Sequence, residues 1–179
     1  MSNADTEQPV YLAGDNWKAH FRDFTSSAFR LEVHQTYTLP REAKALRSFL
    51  AGEPMPDMFN EDWHATVRRQ IGRGRTMTRA KVVRQPLTAY SRFLFAWGIP
   101  GNVLAGEDYR ILDLTDRPDP GLPAQDFWMF DEKVVVHLNY RSDGTEINRE
   151  LIRDPDIGMY LAWRDLALRS SVPFRGCHA

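Results

Sequence analysis

The chain of 179 residues has a single cysteine, Cys177, so no internal disulfide can staple it. Long apolar runs are also missing: none approaches the roughly 20 residues of a membrane span. The first nine residues lack the basic start and apolar stretch of a secretory signal. A reducing cytoplasm is therefore the expected compartment. The five histidines, His20, His34, His64, His137 and His178, show no ligand spacing, so neither a metal nor any other cofactor is expected. No G-x-S-x-G elbow occurs, and Gly72-Arg73-Gly74 lacks the lysine and hydroxyl residue that close a phosphate loop. Cys177 stands beside His178, a pair that can activate a thiolate, but chain ends rarely hold the fixed geometry catalysis needs. No catalytic residue is assigned.

The most telling shortage is of one charge sign. The formal net charge is −1, yet Trp63 to Gly106 carries 8 basic residues and no acid, against net charges of −4 before it and −5 after it. Arg68, Arg69, Arg73, Arg75, Arg79, Lys81 and Arg84 fall on a predicted helix, its glycine turn and the next strand. They are candidate contacts for a protein partner or a phosphate. Pairing with the protein's own acidic flanks is the plainer reading. A nucleic-acid surface fits less well, because the whole chain has a pI near 6.5.

What is present is enough for a core: 42% of residues are apolar and 12% aromatic. Trp17, Phe21 and Phe24 predict a first helix behind an Asp15-Asn16 cap, and Phe29, Leu31 and Val33 alternate with Arg30, Glu32 and His34 as in a strand with one buried face. Leu46, Phe49 and Leu50 mark a second helix, and Trp63, Val67 and Ile71 a third. Thr76 to Arg84 reads as a strand. Leu87 to Trp97 reads as a helix ended by Gly98 and Pro100, with a turn from Gly101 to Asp108. Strands follow at Tyr109 to Leu114, Asp126 to Asp131, Lys133 to Tyr140 and Thr145 to Ile152, the middle two joined by an Asp131-Glu132 turn. A last helix starts at an Asp154 cap. The order predicts one α+β domain, a mixed sheet covered by helices, over residues 15–174, with flexible ends at 1–14 and 175–179.

Carboxylates give the remaining candidates. Glu107-Asp108 sits in a turn before a strand, and Asp126 and Asp131 bracket another, a set suited to acid, base or ligand work; Asp108, Asp126 and Asp131 with Arg110 and Trp128 would line a cleft. The alternative is that Asp108 and Asp131 shape turns by binding backbone amides. Of the neighbours Phe127 and Trp128, alternation turns one away from the other, leaving one accessible.

Ser27-Ala28-Phe29-Arg30-Leu31-Glu32, Phe49-Leu50-Ala51-Gly52-Glu53-Pro54, Pro86-Leu87-Thr88-Ala89-Tyr90 with Arg92-Phe93, Asn102-Val103 with Ala105-Gly106-Glu107-Asp108, and Asp126-Phe127-Trp128-Met129-Phe130-Asp131 resemble the successive blocks of an uncharacterised actinobacterial family. Its members are encoded beside helix-turn-helix regulators, often with a small companion protein. The resemblance implies a regulatory or interaction role with such a regulator as partner, and no established activity. The second half is also similar to one lobe of the phospholipase D fold, whose H-x-K-x-x-x-x-D strand would place its acid at Asp131. The lysine position is then Asp126 and the histidine position Ala124, so that chemistry is not implied. The leading expectation is a non-enzymatic regulatory module. The alternative is a small-ligand sensor, or a degenerate phosphodiesterase-like enzyme, acting on a phosphorylated or nucleotide compound.

Overall fold

The computed structural model describes residues 8–175. Its element order is β1 (Val10–Tyr11), α1 (Gly14–Asp23), β2 (Ser27–Glu32), α2 (Ala43–Leu50), α3 (Glu61–Ile71), β3 (Thr76–Val83), α4 (Ala89–Phe93), a π-helical turn (Leu94–Gly98), α5 (Ile99–Ala105), β4 (Asp108–Asp113), β5 (Asp126–Phe130), β6 (Val134–Tyr140), β7 (Glu146–Leu151), α6 (Ile157–Ser170) and β8 (Val172–Pro173). The strands form one sheet in the order β1-β7-β6-β5-β2-β3-β4-β8. β2, β3 and β4 run parallel and the remaining pairs are antiparallel, so the expected mixed α+β architecture is what forms.

Both sheet faces are covered. On one, Phe29, Leu31, Ala80 and Phe127 pack beneath Tyr160 and Ala167 of α6. On the other, Ala28, Met77, Trp128 and Phe130 meet Phe21 of α1 and Val67 of α3, while Tyr90 and Phe93 of α4 form a second cluster with Tyr37 and Trp97. β2 therefore lacks the solvent face that its alternation suggested: parallel strands joined by helical crossovers lie in the middle of a sheet and are buried on both sides. Trp128 is buried as well as Phe127, which corrects the expectation that one of them is accessible.

Other expectations also change. Within the stretch 1–14, Val10–Tyr11 pair with β7 and Leu12 is buried; residues 1–7 lie outside the described residues. The Cys177-His178 pair lies outside them too. The helix begun at α4 does not end at Gly98 and Pro100. It passes through the π turn into α5, and Pro100, which has no N–H to give to the ladder, lies just past the π turn. The cap of α6 is Asp156, which accepts from Met159 N; Asp154 sits in the left-handed region at φ 44°.

The β5–β6 turn is where expected, with Asp131 and Glu132 both at φ 54°, the signature of a two-residue hairpin turn that continues the sheet's twist. The Asp131 carboxylate does more than shape that turn. It accepts from the backbone of Thr25 at 2.8 Å, Ser26 at 2.7 Å and Ser27 at 3.1 Å, closing the amino end of β2. Burial raises its pKa, but those amides outweigh it and hold the carboxyl at about 2. Asp131→Ala should cost about 1–2 kcal/mol in urea denaturation, discounted for partial exposure. Asp131→Asn keeps an acceptor and tolerates positive φ, so it should recover about half of that loss.

Candidate functional site

On the face covered by α1, α3 and α4, the carboxyl halves of β2 and β3 present charge where a core would be. Alternation puts Arg30 and Glu32 on this face of β2 and Arg79 and Lys81 on the same face of β3, with register partners Arg30↔Arg79 and Glu32↔Lys81. Two guanidiniums directly opposite each other would repel, and Glu32 separates them. Its Oε1 lies 2.6 Å from Arg79 Nη1 and 3.4 Å from Arg30 Nε, and its Oε2 lies 3.8 Å from Lys81 Nζ and accepts from Tyr109 at 3.0 Å. At one end of the chain, Arg30 Nη2 reaches Asp126 at 3.1 Å; at the other, Arg79 Nε reaches Glu107 at 3.0 Å. The result is an alternating row, Asp126–Arg30–Glu32–Arg79–Glu107, with Lys81 beside its centre.

The row is buried: Asp126 and Lys81 are 0% exposed and Glu107 is 2% exposed. Charges survive there only when paired and hydrogen-bonded. Tyr37 donates to Asp126 at 2.5 Å, the Val33 amide at 2.9 Å, and Trp63 Nε1 donates to Glu107 at 3.4 Å. Aromatic faces fill the flanks, with Arg79 5.3 Å from the Trp128 ring and Lys81 5.0 Å from that of Tyr37. Burial pushes Glu32 up, but Arg79, Arg30 and Lys81 outweigh it and hold its carboxyl at about 2. Burial pushes Lys81 below its ordinary value, against Glu32 and Asp126. Burial, then the neighbouring carboxylates, push Tyr37 and Tyr109 well up, so both remain donors. Arg30 Nε is the one buried side-chain polar atom without a hydrogen bond among the described residues; it faces Glu32 without donor alignment.

The basic block is thus divided by the sheet. Arg79 and Lys81 belong to the interior row. Arg75 is half-buried, donates to Gln70 at 2.7 Å and lies over the Phe24 ring. Arg68 is exposed and bridges to Glu61, and Arg84 is exposed with one guanidinium N–H on the Leu114 carbonyl at 2.9 Å. Arg69 and Arg73, at the carboxyl end of α3 and in its glycine turn, are exposed, and their side chains make no hydrogen bond or ion pair among the described residues.

The acidic candidates do not share a cleft. Asp126 and Trp128 face the side covered by α1, α3 and α4. Asp131 lies beyond the other end of the same strand, against Ser26. Asp108 is exposed and 3.7 Å from Arg110, whose Nε meets Ser171 at the end of α6, so both belong to the opposite face. Strand pleating separates what closeness in sequence suggested. Asp126, at the position of the phosphate-binding lysine in the phospholipase D pattern, is committed to Arg30 and Tyr37. Arg30 and Glu32 of the row, and the donors Tyr37 and Tyr109, are absent from the sequence-level candidates, whereas Glu107 is among them, paired with Asp108. The signal for Arg30 and Glu32 is charge at alternate positions of a central strand, which reads as a solvated face until both sides prove covered.

No group of three or more His, Cys, Asp or Glu side chains among the described residues is placed to hold a metal. No helix among them is long and apolar enough to cross a membrane. A comparison with curated proteins found no match. With residues 15–178 matched, the chain belongs to the family described as a domain of unknown function, DUF6879.

Proposed function

We propose that the protein is a non-enzymatic, cytoplasmic interaction module that receives an acidic surface of a regulatory protein at the end of α3, on Arg68, Arg69 and Arg73. One contrast carries this reading: the interior cations are spent on Glu32, Glu107 and Asp126, while Arg69 and Arg73 stand in solvent uncommitted. An uncommitted guanidinium offers a planar fork to a carboxylate, and such rim charges set encounter and orientation between proteins. The interior row supports binding rather than turnover, because each carboxylate already has its donors and none is presented to a cleft. The likeness to a family encoded beside helix-turn-helix regulators favours such a regulator as the partner.

The test is association with a helix-turn-helix regulator, by co-purification and titration. Arg69→Glu with Arg73→Glu should leave the unfolding midpoint unchanged, since exposed unpaired side chains contribute little to stability. It should weaken association at least about tenfold, with the loss carried by the on-rate and reduced at high salt. Unchanged association overturns the proposal. So does a binding activity directed at nucleic acid alone, recognised by an affinity that falls steeply with salt.

A further inference from the structure

At the carboxyl ends of β2 and β3, the opposite end of β3 from Arg69 and Arg73, the α6-side surface opens into a recess of about 290 Å³, at the lower limit of small-molecule pockets. Its floor is apolar: Val33, Val82 and Leu122 line it and rest on Leu112 and Leu114. Its polar wall comes from Arg84, Asp119 and the backbone at His34, whose ring packs away against Tyr37 and Tyr140. Arg84 spends a single N–H on the Leu114 carbonyl at 2.9 Å, leaving four for a ligand.

The recess is held in shape from both sides. Gln35 ties the two strand ends together, donating to the Val33 carbonyl at 3.3 Å and the Val82 carbonyl at 3.1 Å and accepting from the Arg84 amide at 2.9 Å. Across from it, Asp119 Oδ1 accepts from the Gly121 and Leu122 amides, each at 2.8 Å, in a connection stiffened by Pro118, Pro120 and Pro123. A preformed site loses little on ordering when a ligand arrives. The same strand end closes the buried charge row, since the Val33 amide donates to Asp126 and Lys81 Nζ to the His34 carbonyl at 3.1 Å.

We propose that this recess binds a small zwitterion, a free α-amino acid with an aliphatic or aromatic side chain. The ligand carboxylate takes the Arg84 fork, its ammonium takes Asp119, and its side chain covers Val33, Val82 and Leu122. A nucleotide or sugar phosphate fits the wall poorly, because it would bring at least two negative charges beside Asp119 with only Arg84 to meet them. A purely apolar ligand would leave both charges unanswered.

The test is calorimetric titration of the full chain with L-leucine, L-methionine and L-phenylalanine, beside 3-methylbutylamine and 4-methylpentanoate, which each keep the leucine side chain and one charge. At least one amino acid should bind saturably, and each one-charge analogue should bind at least about tenfold more weakly than leucine, the loss of one charge-assisted contact. Arg84→Gln and Asp119→Asn should each weaken binding to a similar degree with the unfolding midpoint unchanged, asparagine keeping the acceptor that shapes the turn. Arg69→Glu with Arg73→Glu should not affect it, so this site and the α3 surface stand or fall separately. No saturable binding by any of the three amino acids at about 10 mM overturns the proposal. So does equal binding of leucine and 4-methylpentanoate, or unchanged binding in both wall variants.

Discussion

Replacing Glu32 by glutamine should lower the stability of the fold by about 3–5 kcal/mol at neutral pH, the cost of leaving buried cations without their counter-charge. Glutamine keeps the volume and one acceptor, so the change is one of charge. Arg30 and Arg79 are register partners on adjacent parallel strands, and only the Glu32 carboxylate lies between them, with Lys81 beside it. The acid limb of the stability curve gives an independent reading. Holding the carboxyl at about 2 in place of 4.5 contributes about 3 kcal/mol above pH 4.5. The sign is that of a depressed acid: the contribution is present above the unfolded value and lost as pH falls toward 2. Urea denaturation between neutral pH and about pH 3 should therefore show a steep loss in the parent protein and a shallower one in Glu32→Gln. A residual slope will persist, because Asp131 is held in the same range. Lys81→Met is the matched control. Burial already disfavours its ammonium and its contact with Glu32 is 3.8 Å, so what methionine chiefly loses is the hydrogen bond to the His34 carbonyl, a cost of about 1–2 kcal/mol and below that of Glu32→Gln. Equal effects of the two substitutions would remove Glu32 from the centre of the row.

The difference between these two positions also marks the limit of what alternation alone could say. Phe29, Leu31, Arg30 and Glu32 obey a period of two, and the strand is there; but the same pattern arises on a half-solvated strand and on a central one whose second face holds paired ions. Burial on both sides is decided by where the helices of the crossovers lie, a property of topology and not of the strand's own sequence. Partners for the basic block posed the same problem. Glu32 precedes it and Glu107 follows it, so the pairing of Arg79 with both is a contact across strands that spacing cannot show. Local signals fared better. The Asp131-Glu132 turn, the Thr76 start of β3, and the one-domain mixed sheet depend on short-range chemistry or on composition, and each could be read directly. Arg68, Arg69, Arg73 and Arg84 are exposed, whereas Lys81 is buried and Arg79 partly buried, a division of the block that its composition left open.

Gly101→Val is the second substitution with a large expected effect, about 3 kcal/mol of destabilisation, at a residue that reads in the sequence as part of a turn. Gly-Ile-Pro-Gly from Gly98 to Gly101 has the composition of a chain reversal, yet it runs through the π turn into α5. The glycine is needed there for proximity and not for its backbone freedom. A Cβ at position 101 would stand 2.5 Å from His64 Cε1 and 2.7 Å from Nε2. His64 cannot simply swing aside, because it is buried, its Nε2 lies 3.1 Å from Asn102 Oδ1, and its Nδ1 lies 3.8 Å from Glu61. Valine is a better helix former than glycine, so propensity offsets a few tenths of a kcal/mol of the clash and leaves most of it standing. The His64→Ala background separates packing from backbone strain. If the seam between α3 and α5 is the cause, valine should cost less than about 1 kcal/mol there, a coupling that a double-mutant cycle measures. A full cost in both backgrounds would instead place the constraint in the π turn itself. The consequence reaches the α3 surface: His64 is one turn before Arg68 on the same helix, so the contact that requires Gly101 also fixes the stem on which Arg68, Arg69 and Arg73 project.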